Sequence, residues 1–358
     1  MPNPAESDLK SKQLDLGKYL SLDAWRGIAA LAVVLFHCVD LMPQKMATSG
    51  GLVSQFFHYG YLGVYVFFPI SGYCILNALV MSERAGFWGF FRRRLWRIYP
   101  AYWGSLLIIY LLIFIAMPFN GTSIADLGMR WWEWLSLFTL TQGFFNPGLV
   151  NVVYWTLGLE LQFYLVMGCL LFFKPSWRPG LLLLTAFFGS LYRMPWWHGH
   201  IQGLFLGYWL EFLVGAAVIG WRIPAYGPRW SIIIWEIAAI TAAITMSFGL
   251  IASLMVSWLL LLFYRWDEII FRWSWIKGLS FFGLFSYSLY LIHYPLMRQA
   301  QSVFLRIDHG TGLLSYSLDM ALMVTIATSA GLLLYYAVEK TCIRMMSRWK
   351  KETRPKTS

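Results

Sequence analysis

Apolar stretches of 15 to 24 residues follow one another from residue 24 to residue 338, with little between them. Nothing else in the chain limits its fold so strongly. The hydrocarbon core of a bilayer is ~30 Å thick, and a helix needs ~20 mainly apolar residues to cross it. The pattern predicts ten spans, at 24–41, 61–80, 99–117, 150–173, 181–196, 203–220, 231–248, 250–264, 281–301 and 315–338. Only Ser247-Phe248-Gly249 separates the seventh from the eighth, so these two also read as one bent unit. The segment 131–145 is aromatic and too short to span, and reads as an interfacial helix or re-entrant piece on the outer side. Composition agrees. Soluble domains are ~45–50% apolar and ~25% charged, whereas this chain is 59% apolar and 13% charged. That excludes an ordinary soluble enzyme and a disordered, collagen-like or disulfide-stapled chain. The expected fold is an all-α polytopic membrane protein.

Residues 1–20 are polar and lack the apolar core of a cleaved signal peptide. The chain therefore divides into a short N-terminal segment (1–20), a membrane domain (21–339) and a basic tail (340–358), with no internal repeat. Orientation follows from Lys and Arg. With ten spans and a cytoplasmic N-terminus, 23 of the 28 basic residues fall on the inner side. The positive-inside rule then predicts both termini cytoplasmic. It also accounts for the net charge of +11 without nucleic acid. The four cysteines, Cys38, Cys74, Cys169 and Cys342, follow no metal or disulfide spacing and read as core residues, so no metal site is expected.

Titratable groups inside hydrocarbon are costly, which makes each one a functional candidate. Arg26 and His37 lie eleven residues apart in the first span. At ~1.5 Å per residue, about 16–17 Å separates them along one helix face. Arg26 belongs at the cytoplasmic boundary, within reach of Asp23 as an i,i+3 pair, and His37 deep in the bilayer. Asp40 reads either as a partner orienting His37 or as a wetted residue at the outer end. Glu160 falls about ten residues into the fourth span and His293 about twelve into the ninth. His37, Glu160 and His293 thus share one depth, and three such groups are better explained by a site than by isolated packing. Arg92, Arg93, Arg94 and Arg97 crowd the loop expected at 81–98. They read as a topology signal or lipid-headgroup contact, or as a phosphate clamp, because guanidinium forks match phosphate oxygens. No P-loop or dinucleotide glycine pattern is present. Gly203 and Gly207 read as close helix contacts, and Ser71 and Tyr73 as packing or pocket residues.

Five blocks in order resemble the acyltransferase-3 family of bacterial membrane acyltransferases. They are LDAWRGIAALAVVLFH with Arg26 and His37, GVYVFFPISGY at 63–73, RRLWRIYPAYW with Arg94 and Arg97, VYWTLGLELQFYL with Glu160, and FSYSLYLIHYPL with His293. Departures are Ala24-Trp25 for a commoner Gly-Leu, Pro69 for an aromatic or aliphatic residue, and Leu161 where a second acid is frequent. The resemblance implies a ten-span fold in the bacterial inner membrane. It implies transfer of an acyl group, usually acetyl, from cytoplasmic acyl-CoA to a hydroxyl of a lipid-linked or cell-surface glycan. Acyl-CoA is then a donor substrate held by Arg26, Arg92, Arg93, Arg94 and Arg97. His37 is the expected catalyst, as general base or as a transient acyl carrier. Glu160 is expected to hold its tautomer, and His293, Tyr287 or Tyr290 to donate to the oxyanion. Some family members carry an added extracytoplasmic hydrolase-like domain, and this chain is expected to act without one or with a partner chain. The rival class is a transporter or flippase for a lipid-linked sugar or small solute, its buried titratable groups serving as a proton relay.

Overall fold

In hydrocarbon no water is available to backbone amides, and a chain this apolar pairs them within helices. The computed structural model of the protein describes residues 19–42, 51–120, 130–145, 151–223, 227–304 and 312–352, and among them there is no β-strand. Helix α1 runs Leu22–Leu41. After α2 (Gly51–His58) and a 3-10 turn, α3 covers Leu62–Val80. Helix α4 (Gly86–Asn120) is 35 residues long. The short α5 (Trp131–Thr139) and α6 (Gln142–Phe145) occupy the aromatic segment that the sequence marks as too short to cross. Then come α7 (Trp155–Cys169), α8 (Arg178–Tyr192), α9 (Trp209–Arg222), α10 (Pro228–Thr245) and α11 (Phe248–Phe263). The chain continues through α12 (Asp267–Phe271), α13 (Ser274–Leu284), α14 (Ser286–Phe304) and α15 (Leu313–Leu334). A π-helical turn at Tyr335–Glu339 leads into α16 (Lys340–Glu352).

Among the described residues, six helical runs are long and apolar enough to cross a membrane, or seven if the bent pair α13–α14 counts as one. Helices α8, α9 and α10, at the fifth to seventh expected spans, are shorter or less apolar. Helix α9 can be short because protein surrounds it: every residue from Trp209 to Gly220 is buried, against α3, α10 and α11.

Three local expectations change. The run Arg92–Arg97 is not in a loop but inside α4. Neither glycine nor proline interrupts residues 90–99, so the helix that opens at Gly86 (φ +62°) runs straight through the charges. The ninth span is two helices meeting at 68°, because Phe285 leaves helical geometry (φ −110°, ψ 15°). The close helix contacts are not at Gly203 and Gly207. Gly203 sits in a turn at φ +78° against the backbone of Gly143. The tight crossings use Gly72 and Gly215 between α3 and α9, and Gly27 and Gly283 between α1 and α13. At each of these four a Cβ would meet backbone oxygen of the partner helix at 1.7 to 2.1 Å. Small residues let helices without a hydrophobic driving force gain van der Waals contact instead.

Helix α1 has no side-chain cap of its own. Asp267 supplies one from α12. Its carboxylate accepts from Leu20 N, from Ser21 N at 2.9 Å and from Ser21 Oγ at 2.6 Å. A carboxylate here satisfies amides that the helix leaves unpaired and complements its positive end. The same helix carries Arg26 one turn further on and His37 four turns on, so this anchor fixes two candidate residues at once.

Candidate active site

Helices α1, α3, α4, α7 and α14 enclose a cavity with about 90 Å³ open to the centre of a water molecule. Its wall carries Arg26, Arg94 and Arg97 as cations and Glu160 as the acid, with Ser71, Tyr164, Tyr287 and Tyr290 around them. Glu160 lies on the inner face of α7. Its Oε1 accepts from Ser71 Oγ at 3.2 Å and from Tyr164 OH, one turn away on the same helix. Arg26 pairs with Asp23 at 3.6 Å, the i,i+3 contact that the spacing predicts. Arg94 stands over the Phe90 ring at 5.8 Å, and its buried Nε has no hydrogen-bond partner among the described residues. The lining thus holds three guanidinium charges against one carboxylate, a surplus suited to an anionic group.

A second acid backs this wall. Glu339, at the π-turn ending α15, is 6% exposed and accepts from Ser288 Oγ at 2.6 Å. It lies within electrostatic reach of Arg97 and Arg26. Sequence reading passed over it because it falls just past the end of the tenth apolar run. Its signal was the cost of an acid at the edge of hydrocarbon.

The two histidines form a separate cluster beside the cavity. His37 and His293 have ring centroids 5.3 Å apart, and Tyr294 and Phe36 each stand 4.9 Å from His37. His293 is fully buried, and its Nδ1 faces two carbonyl oxygens, Tyr290 O at 2.8 Å and Leu289 O at 3.2 Å. Carbonyls only accept, so Nδ1 carries the proton and the neutral ring presents a bare Nε2. That Nε2 and His37 Nδ1 are both buried without a partner among the described residues. Tyr290 joins the clusters. It lines the cavity, its ring lies 5.8 Å from His293, and its hydroxyl meets Thr156 Oγ1 at 2.9 Å, one turn before Glu160.

Of the residues singled out by sequence, the structure gathers Arg26, Arg94, Arg97 and Glu160 around one cavity and sets His37 with His293. It does not bring Glu160 to His37. Similar depth in three spans does not fix which way each helix is rotated, and Glu160 faces the arginine-walled cavity, held by Ser71 and Tyr164. His293 takes the place beside His37 instead. The Tyr287 hydroxyl donates to Ile98 O at 2.9 Å. Asp40 is exposed at the far end of α1. Arg92 and Arg93 are absent from the cavity wall and line another groove. Ser71, read as a packing or pocket residue, is in the cavity wall on Glu160. Tyr164 and Thr156 were missed, although both stand one helical turn from Glu160, the spacing at which side chains meet.

An all-α bundle with several helices long and apolar enough to cross a membrane, around an arginine-walled cavity, defines a polytopic membrane protein. The chain belongs to the acyltransferase-3 family, whose profile, described as an acyltransferase domain, matches residues 19–339. The protein is therefore a membrane acyltransferase, and the transporter reading falls away. It is similar to the putative membrane-bound transacylase BcsY of Komagataeibacter xylinus, with 28% identity over 89% of this chain and 82% of that protein. It is also similar to the O-acetyltransferase OatA of Staphylococcus aureus, 26% identical over 49% of this chain and 28% of the relative. Nodulation protein 10 of Rhizobium leguminosarum bv. viciae is 25% identical over 49% of this chain and 50% of its own length. The matched regions span half or less of these last two relatives. No solved structure gives a significant match.

Proposed function

We propose that the protein moves an acyl group, acetyl foremost, from cytoplasmic acyl-CoA to a hydroxyl of a cell-surface or lipid-linked glycan. It does so in a bacterial inner membrane, with both termini on the cytoplasmic side of ten crossings. The observation that carries this reading is the cavity itself: Arg26, Arg94 and Arg97 share one wall, and Tyr290 links that wall to the His37–His293 pair. The names of the relatives, a transacylase and an O-acetyltransferase, point the same way.

The three arginines hold the phosphates and the arm of the donor, and the enclosed space takes its thioester end. A sugar hydroxyl is a weak nucleophile at neutral pH. His37, in its neutral form, takes the hydroxyl proton as the oxygen closes on the thioester carbonyl, a role typically worth 10²–10⁴-fold. The tetrahedral oxyanion collapses, the carbon–sulfur bond breaks, and the imidazolium of His37 returns its proton to the departing thiolate. His293 is a positioning residue. Its ring, with its centroid 5.3 Å from that of His37, packs beside the imidazole and favours one orientation of it. Glu160, fixed by Ser71 and Tyr164, orders the arginines.

The test uses membranes carrying wild-type or His37→Ala protein at equal level, radiolabelled acetyl-CoA and a crude glycan extract. Label should enter the glycan with wild type and not with the variant. Full transfer by His37→Ala would sink the assignment of the base. Failure of wild type with several intact acyl-CoA donors would sink the donor.

A further inference from the structure

Helix α4 presents two sets of arginines to two different places. At ~100° per residue, Arg92, Arg93 and Trp96 centre roughly 145° around the helix from Arg94, Arg97 and Ile98. The second set lines the Glu160 cavity. The first opens into a groove between α4 and α16, with about 350 Å³ open to water centres, walled by Arg92, Arg93, Trp96, Met345 and Met346. The groove pairs two guanidiniums with an apolar floor. Arg93 is preset there: its NH2 donates to Ser82 Oγ at 2.5 Å, and Ser82 donates on to Ala78 O at 2.5 Å. Trp96 is 46% exposed, Met345 56% and the nearby Trp88 76%. Helix α16 has five basic residues and one acid in its sequence KTCIRMMSRWKKE.

We propose that this groove is a binding site for an anionic phospholipid of the surrounding bilayer. Its headgroup phosphate lies between Arg92 and Arg93, and its acyl chains lie along Trp96, Met345 and Met346. Charge decides the headgroup class, since a zwitterionic lipid brings its own cation to a site that already holds two. The floor decides for a lipid over a soluble phosphate. Met is deformable and polarizable and packs well against chains of irregular shape, and Trp favours the membrane interface. The site stands apart from the donor cavity and does not depend on how that cavity is used.

The test is native mass spectrometry of the full chain released from micelles, titrated with phosphatidylglycerol or phosphatidylcholine. Wild type should retain phosphatidylglycerol in preference to phosphatidylcholine. R92Q/R93Q should weaken that binding by roughly 30-fold, from two lost charge contacts of about 1 kcal/mol each. Met345→Glu, which puts a negative charge on the exposed floor and leaves the arginines in place, should weaken it as well, so the test survives if the double variant misfolds. Neither inorganic phosphate nor acetyl-CoA should displace the lipid. Equal retention of the two lipids, or undiminished phosphatidylglycerol binding by both variants, would overturn the proposal. So would displacement by inorganic phosphate, which would mark a simple anion site, or by acetyl-CoA, which would return Arg92 and Arg93 to the donor.

Discussion

The glycine crossing of α1 and α13 ties the architecture to the site closely enough to be tested by a single methyl group. A Cβ on Gly283 would lie 1.7 Å from the carbonyl oxygen of Asp23, where ordinary contact begins at 3.4 Å. The obstacle is backbone, so no side chain can swing away and the helices must part by about 1.7 Å. Overpacking of this kind costs typically ~1–3 kcal/mol. The turn that must move is the one holding Asp23 and Arg26, and Arg26 lines the cavity. Displacements of ~1 Å in positioning groups can cost up to ~10²-fold in rate. Gly283→Ala should therefore lower the unfolding midpoint of the purified protein and also raise the KM for acyl-CoA. Gly278 is the internal control. It lies on the same helix with nothing within 4 Å of a Cβ, and alanine there should be neutral or stabilising by about 0.5–1 kcal/mol through helix propensity. The assay is thermal unfolding in detergent with donor kinetics on both variants. If Gly283→Ala matches Gly278→Ala in both readouts, the crossing is not as close as described and the link from it to Arg26 is wrong.

Three further outcomes are expected. Glu211 is fully buried and paired with Arg193, which also donates to Gly207 O and Ser247 Oγ. Arg193→Ala leaves that carboxylate without its cation and should cost about 3–5 kcal/mol, while Arg193→Met with Glu211→Leu should recover most of it. Denaturant unfolding checks this, and a double variant no better than the single one would count against the pairing. Asp267→Asn should destabilise the protein by about 1–3 kcal/mol, because the cap of α1 loses its charged acceptor; an unchanged midpoint would show that α1 is held elsewhere. Tyr290→Phe keeps the ring beside His293 and removes the bond to Thr156. It should cost about 0.5–1.5 kcal/mol of stability, as read by unfolding; an unchanged midpoint would show that the Thr156 bond does not hold the two helices.

Much of the fold was open to reading from the sequence because hydrocarbon imposes simple rules. Long apolar runs marked the helices at Leu22–Leu41, Leu62–Val80 and Leu313–Leu334 within a few residues, and the aromatic segment 131–145 was rightly set aside as too short. Hydropathy misled where charge and helix coexist. The arginines of α4 looked like a loop because polarity was taken as a break, although helix propensity does not end at Arg. The bend at Phe285 has no proline or glycine at the residue itself to announce it. For the site, residue type was legible: Arg26, Arg94, Arg97 and Glu160 line one cavity. Lateral placement was not, since it depends on rotations set by contacts such as Gly72 on Phe212 O and Gly215 on Pro69 O. Hence Glu160 was assigned to His37, although the ring beside His37 is that of His293. Glu339 escaped because it falls one residue past the tenth apolar run, where an acid reads as the start of the polar tail.

The central claim separates two jobs: the arginine cavity holds the donor, and His37 performs the transfer. The most direct measurement sets acetyl-CoA binding beside single-turnover transfer in purified wild type, His37→Ala and Arg97→Ala. His37→Ala should bind the donor as wild type does and transfer ~10²–10⁴-fold more slowly. Arg97→Ala should bind it roughly 10- to 100-fold more weakly, the loss expected for a charged hydrogen bond. Wild-type transfer by His37→Ala, or donor affinity lost in His37→Ala and kept in Arg97→Ala, would contradict the account.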